Sequence, residues 1–321
     1  MAVDRRRFGQ TDLWVSPLCQ GTAFRTLPRA DGPEARAVLA HALDSGVNFF
    51  DSSNAYGWGG AEEVLGKALA GRRTQAVICT KVAAFAPPNN GEGKGAPMPF
   101  TRANLFAQAE ASLKRLGTDY LDLYLLHQPD NLTPPAEIAQ SMAALVESGK
   151  VRHWGVSNHS GAQLREYLEL QSPVPPAGAE EYYNVAGEHL DAEGKSRAAR
   201  LEAEVFPLLR QSGMGLLAFS PLDTGFLDPG RAIAEGSPLA GLAAALDQVA
   251  VQLGCSRTQL CIAWVRSCPE VSCVLAGAES PAQVEENCQG AQLTLPPEAR
   301  VTIEEARQLY RQQQAAAQKV R

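Results

Sequence analysis

Residues 121–156, LDLYLLHQPDNLTPPAEIAQSMAALVESGKVRHWGV, decide the fold. Leu121–His127 is a short apolar run with little alternation, the pattern of a strand buried on both faces. A polar break follows, then an amphipathic stretch, Pro134–Ser148, with helical spacing. Thr133-Pro134 sets a capping residue before a proline at the first helical position. Arg152–Val156 is a second buried strand. A strand, a helix and a strand at this spacing make a βαβ unit, which pairs its strands in parallel.

The same unit recurs on both sides. Further strands are predicted near Val15–Gly21 and at Val47–Asp51, Ala76–Lys81, Ala177–Tyr183, Gly215–Phe219 and Ser272–Ala276. Helical patterns fall at Glu34–Ser45, Ala61–Ala70, Arg102–Leu116, Gly161–Leu170, Arg197–Gln211, Leu239–Leu253 and Pro281–Gln289. Two more are expected, one after Ser256 and one from about Pro297. Ser160-x-x-Gln163, Ser256-x-x-Gln259 and Ser280-x-x-Gln283 read as capping boxes. Eight strand–helix units predict an α/β fold, a (β/α)8 barrel. A doubly wound open sheet is the runner-up, and the absence of G-x-G-x-x-G after the first strand counts against it. The opening Arg7-Phe8-Gly9-x-Thr11-x-Leu13-x-Val15 reads as a hairpin able to plug the barrel bottom. Residues 82–101, with Asn89, Asn90 and Lys94, and residues 221–237 are long loops after strands, where a barrel builds its site. The polar tail, 312–321, is expected to fray. No linker interrupts the pattern, so residues 1–321 are expected to form one domain.

With 29 Lys and Arg against 35 Asp and Glu, the net charge is −6, which gives no general attraction to nucleic acid or anionic membrane. Hydrophobic residues make up 45% of the chain, enough to build a core and too many for a disordered protein. No apolar run reaches the ~18 residues of a membrane span. The charged start, MAVDRRRFGQ, carries no secretory pattern. Seven cysteines without a C-x-x-C pair predict reduced thiols and a cytoplasmic location.

Polar residues close several of the apolar runs. Asp51 ends the second strand, Tyr56 follows in Asp51-Ser-Ser-Asn-Ala-Tyr56-Gly57, Lys81 ends the third and His127 the fourth. A tyrosine with an ordinary pKa of ~10 is a poor acid–base catalyst at neutral pH. A nearby ammonium favours tyrosinate, and an aspartate keeps that ammonium charged. With a histidine to orient a substrate oxygen, the set suits proton transfer to a carbonyl or from an alcohol. Late in the chain, Ala276-Gly277-Ala278-Glu279-Ser280-Pro281 joins the last strand to a capped helix, with Gln283, Glu286 and Asn287 on its first turns. That is the usual place for a barrel phosphate site. No metal site is expected.

At these residues the sequence resembles the aldo-keto reductase family, in its bacterial-type members. The matching segments are Asp51…Tyr56-Gly57, Glu62-Glu63-x-Leu65-Gly66, Thr80-Lys81, Leu126-His127, Gly155-Val156-Ser157-Asn158, Tyr183-Asn184, Ser220-Pro221-Leu222 and Gly277…Gln283…Glu286-Asn287. The resemblance implies NAD(P)H-dependent transfer of a hydride to an aldehyde, ketone or sugar-derived carbonyl, with a small carbonyl or polyol as partner and a monomer or small homo-oligomer as the assembly. It implies Tyr56 as general acid, Lys81 and Asp51 as its tuning groups and His127 as the substrate-orienting group. Ser157 and Asn158 would hold the nicotinamide carboxamide, and Phe219 would stack on the ring. Ser220, Pro221 and Leu222 would line the pyrophosphate path, with Gly21 and Thr22 among the cofactor contacts. Gly277, Glu279, Ser280, Gln283, Glu286 and Asn287 would surround the adenosine end.

Two positions depart from the family pattern. Glu180 stands where a glutamine usually binds the carboxamide. A carboxylate there favours the oxidised ring, unless it turns toward a cation such as Arg210. Glu279 stands where the 2′-phosphate is faced by a basic or neutral residue. NADP(H) is therefore the expected cofactor, with NAD(H) open because of Glu279. The alternatives are an NAD-dependent sugar or alcohol dehydrogenase and a cofactor-binding regulatory subunit like the potassium-channel β subunits.

Overall fold

Eight parallel strands close into a barrel in a computed structural model that describes residues 4–25, 32–86, 95–187 and 196–319. They are β3 (Leu18–Gly21), β4 (Phe49–Asp51), β5 (Val77–Val82), β6 (Leu121–Leu126), β7 (Val151–Ser157), β8 (Gly178–Tyr182), β9 (Gly215–Phe219) and β10 (Cys273–Gly277). The ring closes where β10 pairs with β3, Val274 beside Leu18. Ahead of it, β1 (Arg6–Arg7) and β2 (Trp14–Val15) form an antiparallel hairpin. The expected strand Val15–Gly21 is thus divided, with Val15 in the hairpin and Leu18–Gly21 in the barrel.

The helices are α1 (Pro33–Asp44), α2 (Gly60–Ala68), α3 (Arg102–Leu116), α4 (Pro135–Glu147), α5 (Gly161–Glu169), α6 (Arg197–Arg200), α7 (Phe206–Ser212), α8 (Pro238–Leu253), α9 (Arg257–Arg266), α10 (Pro281–Gln292) and α11 (Pro297–Lys319). The expected helix Arg197–Gln211 is three pieces, because Leu201–Val205 between α6 and α7 is wound as a π-helix. The tail expected to fray instead continues α11 to Lys319. Both capping boxes at Ser160 and Ser256 form. At Ser280 only half forms, since the Gln283 carbonyl takes the Glu279 N–H instead. Thr133 does not cap α4: Pro134 is the N-cap, and the Thr133 hydroxyl donates to Asp130 at 2.7 Å.

Strand period divides the core in two. On β5, Val77, Cys79 and Lys81 share one face while Ile78, Thr80 and Val82 share the other. The inner cluster holds Phe49, Cys79, Leu123, Leu125 and Leu217, and the outer cluster packs the strands against the helices. The hairpin plugs the bottom as expected. Phe8 is fully buried against Phe49, with ring centroids 5.6 Å apart. Its ring lies where a Cβ on Gly178 or Gly215 would stand, at 2.7 and 2.6 Å, so both glycines are needed for space.

Candidate active site

Six of the eight barrel strands carry, at or near their upper ends, a residue that chemistry can use. Asp51 closes β4 and Lys81 nearly closes β5; His127 directly follows β6, Ser157 closes β7, Glu180 lies on β8 and Phe219 closes β9. Tyr56 comes from the turn after β4. Its N–H donates to Ser53 O at 3.1 Å, and Gly57, Trp58 and Gly59 follow with φ of 58°, 53° and 97°. A Cβ on Gly59 would meet the Arg115 side chain at 2.5 Å, so the turn needs glycine there for space as well as for φ. Arg115 and the Thr80 hydroxyl both donate to buried Glu62 on α2, which pins this turn to the barrel.

These elements bring the four predicted residues together. Lys81 is fully buried, and its Nζ donates to Asp51 Oδ1 at 2.5 Å, to Ser52 O at 3.1 Å and to Tyr56 Oη at 3.3 Å. The Tyr56 and His127 rings meet edge to face at 5.6 Å. Glu180 adds a second carboxylate, 3.1 Å from the same Nζ. Its cation is therefore Lys81 and not Arg210, which pairs with Glu270. Asp51, Cys79 and Glu180 could by spacing hold a metal ion, but the Lys81 ammonium pairs with both carboxylates.

Burial pulls the Lys81 pKa down, but Asp51 and Glu180 outweigh it and leave it raised, which favours the ammonium. Burial, then Asp51, pushes the Glu180 carboxyl upward toward its protonated form. Tyr56 follows the same balance. Lys81 pulls its pKa down, but burial, Asp51 and Glu180 leave it raised. The expected lowering by Lys81 is thus present and outweighed. His127 falls to about 3 through burial and the Lys81 charge, so its imidazole is neutral near neutral pH. Its Nδ1 lies 3.0 Å from Ser53 Oγ, which already accepts from the Ala55 N–H. A serine proton directed to Nδ1 would leave the imidazole proton on Nε2, a donor suited to a carbonyl oxygen.

Beyond the tetrad runs a cavity of about 790 Å³, well within the range of cofactor sites. Of the predicted residues, Gly21, Asp51, Tyr56, His127, Asn158, Glu180, Phe219, Ser220, Pro221, Leu222, Gly277, Glu279, Gln283, Glu286 and Asn287 line it. Lys81 does not line it, but its Nζ reaches Tyr56 Oη. Thr22, Ser157 and Ser280 do not line the cavity. Thr22 Oγ1 donates to Ser52 Oγ at 3.0 Å, Ser157 Oγ donates to Glu180 O at 2.8 Å and Ser280 caps α10. The half-buried Phe219 ring offers a stacking face, and a Cβ on Gly277 would meet only open space, which suits a flat, extended cofactor. Asn184 Nδ2 donates to Ser220 O at 3.0 Å and helps hold Ser220 at a φ of 62°.

The sequence reading missed Phe24, Arg25, Thr224, Asp228, Thr258 and Ile262 in this lining. Arg25 had a signal, since it follows the first barrel strand on a loop at the site face. Its backbone N–H donates to the Glu279 carboxylate, and its guanidinium donates to Thr224 O at 3.0 Å. Thr258 and Ile262 sit on α9, whose apolar pattern marks only a packing face. Of the two long loops, 221–237 contributes to the wall as expected. Asn89, Asn90 and Lys94 lie outside the described residues.

Comparisons with known proteins agree with the barrel fold. The model of the "Aldo/keto reductase family" matches residues 17–308. A "Probable voltage-gated potassium channel subunit beta" of Arabidopsis thaliana is 32% identical over 88% of this chain and 89% of its own length. The "L-glyceraldehyde 3-phosphate reductase" of Escherichia coli K12 is 30% identical over 79% of this chain and 78% of its own. The solved structure of the aldo-keto reductase AKR11C1 from Bacillus halodurans, in its holo form, superposes with a TM-score of 0.80 at 27% identity, covering 95% of this chain and 96% of that one. With the barrel, the buried Lys81–Asp51 pair beside Tyr56 and a family match across most of its length, the chain belongs to the aldo/keto reductase family of NAD(P)H-dependent oxidoreductases.

Proposed function

We propose that this protein reduces small aldehydes or sugar-derived carbonyls, with Tyr56 giving its hydroxyl proton to the carbonyl oxygen. The observation that carries the reading is Tyr56 Oη at 3.3 Å from a fully buried Lys81 ammonium, itself held by Asp51. A nicotinamide bound along the cleft would supply the hydride. The chain's own residues do the rest. Lys81 stabilises negative charge developing on the tyrosine oxygen as the proton leaves. His127, neutral and protonated on Nε2, orients the carbonyl. Asn158 and Phe219, which line the cleft, would hold the nicotinamide end, while Gly277, Gln283, Glu286 and Asn287 would border the adenosine end.

The resting protonation state of Tyr56 bears on the choice between reductase and dehydrogenase. Oxidising an alcohol requires tyrosinate as the base, and burial with two carboxylates opposes that form. The reductase reading is therefore preferred to the dehydrogenase. The Glu279 carboxylate lines the cleft and would meet a 2′-phosphate with like charge, which supports use of NADH beside NADPH. Seven free thiols fit a reducing, cytoplasmic location, and among the described residues no single helix is long and apolar enough to cross a membrane. Residues 1–321 work as one domain in this reading.

The Arabidopsis relative's name favours a second reading, a cofactor-binding regulatory subunit. A panel of small aldehydes, ketones and polyols, followed at the nicotinamide absorbance with both cofactors in both directions, separates the two. Multiple turnovers with an aldehyde are expected. Stoichiometric cofactor binding without turnover of any carbonyl would favour the regulatory subunit.

A further inference from the structure

The side chain of Asn158, at the nicotinamide end of the cleft, is held on every polar atom. Its Nδ2 donates to His127 O at 2.9 Å and Ser157 Oγ at 3.0 Å, and its Oδ1 accepts from Arg197 Nη2. Arg197 opens α6, on a different βα connection from Asn158. Its guanidinium carbon also lies 5.8 Å from the centre of the Phe219 ring and 5.5 Å from that of Tyr182. One cation therefore joins the residue proposed to meet the carboxamide to the ring proposed to stack on the nicotinamide. Among the described residues, the Glu181 carboxylate is 3.9 Å from Arg197 Nη2. Burial pushes the Glu181 carboxyl up to about 8, while the Arg197 charge pulls it down.

We propose that Arg197 is a positioning residue for the nicotinamide end of the cofactor, orienting the Asn158 amide and bracing the Phe219 ring. The proposal rests on the cofactor reading given above. A free asparagine amide turns over at little cost, exchanging its donor and acceptor ends. The guanidinium fixes Oδ1 toward itself and so fixes the donor end as well. Its planar, delocalised cation also suits the face of an aromatic ring, which a lysine ammonium matches less well. A positive charge at this end disfavours the cationic oxidised ring relative to the neutral reduced one.

The test uses the purified full chain, Arg197→Met and Arg197→Lys, titrated with NADH, NADPH and ADP-ribose, which lacks the nicotinamide. For Arg197→Met, Kd for the reduced cofactor is expected to rise about tenfold, as for a lost charge-assisted hydrogen bond, while that for ADP-ribose stays unchanged. Arg197→Lys should fall between wild type and Arg197→Met. Unchanged Kd for all ligands in both variants would overturn the proposal. Equal weakening of reduced cofactor and ADP-ribose would also overturn it, because the effect would then be on the fold. A wild-type chain that binds neither dinucleotide would instead overturn the functional reading on which the proposal rests.

Discussion

The two ends of the barrel are made from the same eight strands and from opposite chemistry. The lower end is closed by Phe8, seated where Gly178 and Gly215 lack side chains, and its neighbours Phe49, Leu123 and Leu217 are apolar. The upper end buries Asp51, Lys81 and Glu180 within one hydrogen-bonded group. Even when buried charges are paired, the cost of taking them out of water can match or exceed their mutual attraction, so this end is not where the fold gains its stability. The contrast separates the two roles: the floor supplies apolar burial, and the rim holds groups whose protonation is set by one another.

Breaking either end should therefore give different losses. Lys81→Met at the rim should lower kcat by roughly 10²–10⁴-fold. Because Lys81 lowers the Tyr56 pKa, the alkaline fall in rate should also move to higher pH, as a pH–rate profile of mutant and wild type would record. Phe8→Ala at the floor should cost about 3–5 kcal/mol of stability. Thermal unfolding would show a lower Tm, while the turnover per folded molecule at low temperature should stay near that of wild type.

Two smaller effects sharpen the contrast within the rim. Glu279→Arg, at the outer end of the cleft, should shift the ratio of NADH to NADPH dissociation constants toward NADPH by about tenfold. Glu180→Gln, at the inner end, should act opposite in sign to Lys81→Met. Glu180 raises the Tyr56 pKa, so its replacement should move the alkaline fall to lower pH, by about one unit or less. It should also increase the rate of alcohol oxidation relative to carbonyl reduction, measured with the same substrate pair in both directions.

The tetrad was legible because each member sits at the close of an apolar run or in the turn after it, where a barrel places its rim. The barrel itself followed from the repeated βαβ spacing, and Phe8 from the hairpin pattern. Glu180 was legible as a departure from the family, but its partner was not. Lys81 and Glu180 lie on β5 and β8, separated around the barrel wall, and only closure brings them to 3.1 Å. Arg197 gave no signal, since a charged residue opening a helix reads as a solvated turn. Its contacts to Asn158 and Phe219 depend on how α6 returns over the rim. The half-formed capping box at Ser280 was hidden for a local reason, because the motif does not reveal that Gln283 also reaches the Glu279 N–H.

The most direct measurement is a single turnover with Tyr56→Phe. Wild type and variant are each loaded with reduced cofactor, mixed with a small aldehyde and followed at the nicotinamide absorbance. Proton donation by Tyr56 predicts equal cofactor binding and a single-turnover rate lowered by roughly 10²–10⁴-fold in the variant. A variant that consumes the reduced cofactor at the wild-type rate would contradict it.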